Sequence, residues 1–314
     1  MQIRLATTGQ GWDSRGSVAT LGNLDGVHRG HQAILAQARH KADSLGVASI
    51  AVVFEPQPRE FFAPNDAPAR LTRLKEKCHA LAGLVDGVQV LRFNGALAAQ
   101  QPEAFVEHWL VRELGVKHLV VGDDFRFGAR RAGDYSLLQR MGVDAGFDVE
   151  RTREVLHKGR RISSTWVRQA LGANDLALAE SLLGRPYQML GRVGYGMQLA
   201  RTLGSPTANL RINRKVSPLK GVFAVRVDAP SAGLVDVPGV ANLGSRPSIP
   251  DRDMALEVHL FDVDADLYGH ELRVRFIHAL RPEQTFAGLD ALKHQIHLDH
   301  QAARAALAHP TDTL

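Results

Sequence analysis

The chain has 314 residues, 45% apolar and 23% charged, and at roughly 100–200 residues per domain this predicts two soluble domains, each able to bury its own core. Cys78 is the single cysteine, which excludes an internal disulfide or a thiolate metal cluster; the lack of a long apolar run or a signal-type start excludes a transmembrane helix and points to the cytoplasm. The net charge of +5 comes from dispersed basic residues, densest at 151–161 and 211–220, and aromatic content is only 6%, so anionic small substrates are expected rather than nucleic acid.

In the first half, strand-like and helix-like stretches alternate. Ser17–Gly22 reads as a strand feeding a turn, and Gly30–Ser44 as a helix with Ile34, Leu35 and Ala38 at helical spacing. Ala48–Phe54 is a continuous apolar run, as in a strand buried on both faces. Leu71–Leu84 (helix), Gly87–Phe93 (strand), Pro102–Leu114 (helix), His118–Gly122 (strand), Ser136–Met141 (helix) and Asp148–Arg153 (strand) follow, and helices Ser163–Leu171 and Asp175–Leu183 close this half. The alternation predicts an α/β, Rossmann-like domain with a parallel sheet. Past Gly184 the pattern turns to short β-like segments, Gly191–Tyr195, Gly221–Asp228, Val240–Asn242, Leu256–Phe261 and Leu272–Leu280, separated by Gly, Pro and Asn. An antiparallel barrel or sandwich is expected there, with one terminal helix at Leu289–Ala306. The domains are therefore expected at 1–183 and 184–314.

Two segments suggest phosphate chemistry. Gly22-Asn-Leu-Asp-Gly-Val-His28-Arg-Gly30-His31 follows a strand and opens a helix. Free N–H groups at a helix start favour phosphate, and Gly22, Gly26 and Gly30 allow close backbone approach. His28 and His31, three apart, would share a face beside a phosphate on which negative charge builds. Their spacing does not fit a metalloprotease zinc pair. In Ile162-Ser163-Ser164-Thr165-Trp-Val-Arg168, three hydroxyls precede a helix with an arginine one turn on. A plain N-cap needs only one hydroxyl.

Gly22–His31 resembles the G-x-F-D-G-V-H-x-G-H signature of nucleotidylyltransferases, and Ile162–Arg168 their I-S-S-T-x-I/V-R motif. Val120–Gly128 and Phe54–Phe62 resemble the flavin-specific members, the bifunctional bacterial riboflavin kinase/FAD synthetases. The resemblance implies that the first domain is an FMN adenylyltransferase. His28 and His31 would then hold the ATP phosphates, with Asn23 and Asp25 in the same nucleotide loop. Ser164, Thr165 and Arg168 would grip the β/γ side, with Ser163 among the nucleotide contacts. Phe54, Pro56, Pro58 and Phe62 would line the flavin pocket, with Asp124, Phe125 and Phe127 on a loop near nucleotide and flavin.

No Walker-type loop and no protein-kinase signature set occurs. Yet Gly184–Tyr187, Gly191–Gly196, Arg201-Thr-Leu-Gly204-Ser-Pro-Thr207-Ala-Asn209 and Pro218–Val225 run in the order of the riboflavin kinase domain, marked by G-R-x-x-G-x-P-T-A-N. Gly239–Pro247, Leu256–Phe261, Leu267–Gly269 and the helix with Phe286, Leu289, Leu292, Gln295 and Ile296 continue the match, so the resemblance spans nearly the whole chain. It implies nucleotide contacts at Gly191, Gly196, Arg201 and Gly204, and a flavin contact at Arg246. Thr207 and Asn209, two apart on an extended segment, offer hard oxygen ligands suited to Mg2+ with ATP phosphates. Riboflavin's 5′-hydroxyl needs a base. The resemblance points to Glu257, which alternation places opposite in sense to Leu256 and Val258.

Several positions depart from the family pattern: Leu24 where Phe is usual, Ala200 for Gly, Ser205 for an aromatic, Ser248 for Thr, and no Gly within Ile249–Met254. Two other readings use the same motifs. One is an adenylyltransferase for another phosphorylated acceptor, which the P-T-A-N barrel disfavours. The other is a flavin-binding regulator that has lost catalysis.

Overall fold

The computed structural model describes residues 1–5, 12, 15–194, 207–214, 216–245 and 254–308. The chain divides into two compact units, 1–68 with 72–164, and 69–71 with 165–314.

The first unit holds a six-stranded sheet of β1 (Gln2–Leu5), β2 (Ser17–Leu21), β3 (Ala48–Glu55), β4 (Gly87–Arg92), β5 (Val116–Val121) and β6 (Asp148–Arg151). The order is β1-β4-β3-β2-β5-β6, and every pairing is parallel. Its helices are α1 (Arg29–Leu45), α2 (Pro58–Phe62), α3 (Leu74–Leu81), α4 (Gly95–Ala99), α5 (Pro102–Phe105), which runs into a π-helical stretch (Val106–Glu113), and α6 (Tyr135–Ala145). A hairpin of β7 (Leu156–His157) and β8 (Arg160–Arg161) follows.

Strand parity sorts the core. Ala19, Leu21, Ile50, Val52, Leu119 and Val121 pack with Val106 and Leu110 of the π-helical stretch and Leu138 of α6. The alternate residues Ala51, Val53, Val88 and Val90 pack with Leu35, Cys78 and Leu81 of α1 and α3. Val18 and Val120 meet Ala38 and Ala42 of α1. Both sheet faces are thus covered, which explains the uninterrupted apolar runs.

In the second unit, α7 (Ser164–Gly172), whose first residue belongs to the first unit, and α8 (Leu176–Leu183) precede a barrel. Its strands are β9 (Gln188–Gly194), β10 (Ala208–Arg211), β11 (Gly221–Ala229), β12 (Leu234–Ser245), β13 (Met254–Leu260) and β14 (Glu271–Arg281). They close in the order β10-β13-β12-β11-β14-β9, with antiparallel pairing throughout. Helix α9 (Leu289–Ala308) lays Ala303 and Leu307 on Val222, Ala224, Val240 and Phe261 of the outer barrel face. Arg281 clamps it through both oxygens of the buried Asp299, at 2.8 and 2.7 Å, a bidentate geometry that fixes orientation as well as distance.

The alternation predicted from sequence is present, with several differences: α2, α4, the β7–β8 hairpin and β10 are additional elements, and α7 and α8, expected to close the first half, fall almost wholly in the second unit. β1 was not expected. The helix expected over 71–84 spans only Leu74–Leu81, because Glu76 accepts from Arg73 N at 2.7 Å and so sets the start there. The 102–114 helix is α-helical for one turn only. The strand expected at 240–242 runs from Leu234 to Ser245, straight through Pro238 and Gly239, which in sequence read as a break.

Candidate functional site

In an open parallel sheet, ligands bind beyond the carboxyl ends of strands where the strand order reverses. Here β2 lies between β3 and β5, so the loops after β2, β3 and β5 share one edge. They are the three loops the sequence singles out: 22–28, 54–62 and 122–128.

The turn after β2 is tightly specified. Leu24 and Val27 both take φ of 44° and Gly26 takes 85°, a left-handed backbone costly for Leu and Val. Gly26 N donates to Thr72 Oγ1 at 3.0 Å, and Asp25 Oδ1 accepts from Thr72 N and Oγ1 at 3.0 and 3.2 Å. The Asp25 carboxylate is therefore an internal brace, 2% exposed. Ser164 Oγ donates to the Asp25 carbonyl at 2.9 Å. Gly22 is half-buried and Asn23 exposed. His28 is the N-cap of α1, its Nδ1 accepting from His31 N at 3.3 Å. The two imidazoles stack at 3.6 Å, 17° from coplanar. A Cβ on Gly30 would come within 3.2 Å of the His28 ring, so only glycine leaves the cap undisturbed.

The pair is more enclosed than the sequence implies. His28 is 4% exposed, and burial, then His28, then Lys77 hold the His31 pKa well below its ordinary value. His31 is therefore a neutral imidazole at neutral pH, able to donate or accept a hydrogen bond. Its Nδ1 is buried without a hydrogen-bond partner among the described residues, a position a ligand atom would satisfy.

Ser163, just before α7, and Ser164, its first residue, are half-buried, Thr165 is exposed, and Arg168, one turn on, donates from Nε to the Ala69 carbonyl at 2.6 Å. After β3, Phe54, Phe61 and Phe62 surround Phe93 at 5.8, 5.5 and 5.7 Å, edge to face. Phe61 and Phe62 are 40% and 67% exposed, an aromatic surface such as a planar ring system would cover. Pro56 is exposed and Pro58 opens α2. After β5, Phe125 stacks on the core residue Phe127 at 5.7 Å. The exposed Asp124 pairs with Arg161 of β8 at 3.1 Å.

The barrel gathers its own set. Asn209 of β10 stands directly opposite Glu257 of β13, and Glu257 opposite Asn242 of β12. Residues directly paired across strands present their side chains on one face, with Cβ atoms roughly 5 Å apart. Leu256, Val258 and Leu260 are buried, whereas Glu257 and His259 are half-buried on the other face, as alternation predicted. That face carries α9: Asn242 pairs with Val222 and His259 with Val240, two residues beneath the helix. Beside Glu257, His259 stacks on His300 of α9 at 4.4 Å. Burial foremost, then His259, lowers the His300 pKa to about 4. Thr207 and Asn209 are both half-buried. Gly191 lies within β9, where a Cβ would meet the Leu210 Cβ at 2.8 Å. Gly196, Arg201, Gly204 and Arg246, with the departures at Ala200, Ser205 and Ser248, lie outside the described residues.

Four groups escaped the reading of the sequence. Lys77, 0% exposed, reaches the Asn23 carbonyl. Thr72 braces Asp25. Phe93 centres the aromatic cluster, and Asn242 completes the Asn209–Glu257 row. The first three looked like ordinary helix or strand positions. Asn242 was in view, inside the Gly239–Pro247 stretch, but its partner is set by strand register.

No group of three or more His, Cys, Asp or Glu side chains among the described residues could hold a metal. A cation at Thr207 and Asn209 would need further oxygen ligands. That donor set fits Mg2+, which keeps waters and takes phosphate oxygens rather than an all-protein cage.

Comparison with known proteins gives the same two-part division. The family model described as FAD synthetase matches residues 11–166, and that described as riboflavin kinase matches 183–307. A bifunctional riboflavin kinase/FMN adenylyltransferase of Pseudomonas fluorescens is 52% identical, with 94% of each chain covered. Its namesake in Escherichia coli K12 is 50% identical, with 92% of each covered. A crystal structure titled a macrolide-efflux protein from Streptococcus pneumoniae has a TM-score of 0.79 at 26% identity, covering 93% of this chain and 95% of that one. No described helix is long and apolar enough to cross a membrane. With a parallel-sheet unit bearing the histidine turn, a closed barrel bearing the Asn209–Glu257 row, and relatives matching along nearly its whole length, the chain belongs to the bifunctional riboflavin kinase/FMN adenylyltransferase family.

Proposed function

We propose that the barrel phosphorylates riboflavin to FMN with ATP, and that the sheet unit then transfers AMP from a second ATP to FMN, giving FAD and pyrophosphate. The observation that carries this is the coexistence of two unlike phosphate-handling sets in one chain: a histidine-capped turn on the sheet edge, and a carboxylate in register with an amide on the barrel. The working domains are 1–183 and 184–314, as a cytoplasmic enzyme whose partners are the small molecules riboflavin, FMN and ATP rather than nucleic acid.

At the barrel, the Glu257 carboxylate accepts the proton of the 5′-hydroxyl as its oxygen attacks the γ-phosphorus, and ADP leaves. Thr207 and Asn209 would hold Mg2+, which when bound offsets the charge of the phosphates. Asn242, on the same row, is placed to orient the ribityl chain or a phosphate. At the sheet edge the nucleophile is already an anion, the FMN phosphate, so no base is needed. It attacks the α-phosphorus, the bond to the β-phosphate oxygen breaks, and pyrophosphate leaves. His28 and His31 act by positioning and by hydrogen bonding to the phosphates. Ser164, Thr165 and Arg168 enter this reading by their motif, on the β/γ side, with Ser163 among the nucleotide contacts. The exposed rings of Phe61 and Phe62, with Phe54 and Phe93, offer the isoalloxazine an apolar seat.

The test is a time course. Purified protein with riboflavin, ATP and magnesium should show FMN rising first and FAD following at its expense. No product of either kind would instead support a flavin-binding regulator. FMN without FAD, together with AMP transfer to another phosphorylated acceptor, would move the sheet unit to a different adenylyltransferase.

A further inference from the structure

Every carbonyl from Asn23 to Asp25, together with those of Val27 and His28, is drawn into the protein. Asn23 O accepts from Lys77 Nζ, Leu24 O from Val27 N at 3.2 Å, and Asp25 O from Ser164 Oγ at 2.9 Å. Val27 O and His28 O accept from Gln32, through Nε2 at 2.8 Å and N at 2.9 Å. A phosphate at a helix start is attracted by N–H groups and repelled by carbonyl oxygens, so the turn can hold an anion only while these oxygens face away. Of the five donors, only Lys77 carries a charge, and it reaches the turn from α3, 54 residues along the chain.

Burying a lysine is costly, and an apolar residue would suit this slot beside Cys78 and Leu81 better if packing were all that mattered. Resting on the adenylyltransferase reading above, we infer that Lys77 is a positioning residue for the triphosphate of ATP: it holds the Asn23 carbonyl away from the anion and sets a fixed positive charge beneath the turn. Its field already reaches the histidine pair, since Lys77 is among the causes that lower the His31 pKa. Because the ammonium stays sealed beneath the turn, it favours bound ATP and the transition state alike, an effect that belongs to KM rather than kcat.

The test is steady-state FMN adenylylation by the full-length protein at varied ATP, with thermal unfolding and riboflavin phosphorylation as checks on folding. Lys77→Met should raise the KM for ATP about tenfold or more and leave kcat within about threefold. Lys77→Gln, which keeps a donor for Asn23 O without the charge, should recover part of that loss. A folded Lys77→Met protein with unchanged KM for ATP, or with the loss in kcat alone, would overturn the proposal. Failure of both variants to fold would do the same, by assigning Lys77 to stability. If the unaltered protein makes no FAD from FMN, it is the adenylyltransferase reading that fails.

Discussion

Replacing Glu257 by alanine is expected to cut riboflavin phosphorylation by about 10²–10⁴, the range a positioned general base supplies, while FAD formation from added FMN stays intact. The size follows from the nucleophile. A primary hydroxyl carries its proton into the reaction, and Glu257, in register with Asn209, is the carboxylate of that row. Glu257 is half-buried on a strand whose core is made by Leu256, Val258 and Leu260, so its removal leaves the barrel's packing in place. Glu257→Gln should be nearly as inactive, because it keeps the shape and loses the base. Initial rates of FMN production by chromatography, beside FAD production from FMN, measure both arms. Equal loss of both activities in a folded protein would contradict the assignment.

The opposite selectivity is expected from His28→Ala. FAD formation should fall by about 10²–10³, the effect of deleting a hydrogen-bonding group from a charge-stabilising site, and FMN formation should persist. His28 also caps α1, and losing a cap costs about 1 kcal/mol. Against a total stability of about 5–15 kcal/mol that shifts the unfolding midpoint without emptying the folded state. A hundredfold loss with folding retained therefore belongs to the site and not to the helix. His31, neutral through burial and stacked on His28, loses its ring partner in the same variant. The expected loss is accordingly that of a coupled pair.

The sequence spoke most clearly where local chemistry decides the structure. The alternation of apolar runs and helical periods gives the covered parallel sheet, because strands such as Ala48–Glu55 bury both faces. The strand-to-helix turn that carries His28 was legible because the apolar run before it and the helical period after it are local features. Parity along β13 placed Glu257 away from the core without any knowledge of its neighbours. What stayed hidden depends on pairing between distant segments. Asn242 meets Glu257 only through the β12–β13 register. Lys77 meets Asn23 only because α3 packs beneath the β2 turn. Asp25 looked like a ligand contact, and its bonds to Thr72 show that its carboxylate shapes the turn from within. The break suggested by Pro238 and Gly239 is absorbed by a continuous strand because neighbours on both sides hold it in the barrel.

The claim that two separate sites act in turn on one flavin is tested most directly by mixing the two crippled proteins. Given riboflavin, ATP and magnesium, His28→Ala alone should stop at FMN, Glu257→Ala alone should make almost nothing, and the mixture should produce FAD. A mixture that yields no FAD, although each protein keeps its one expected activity, would contradict it.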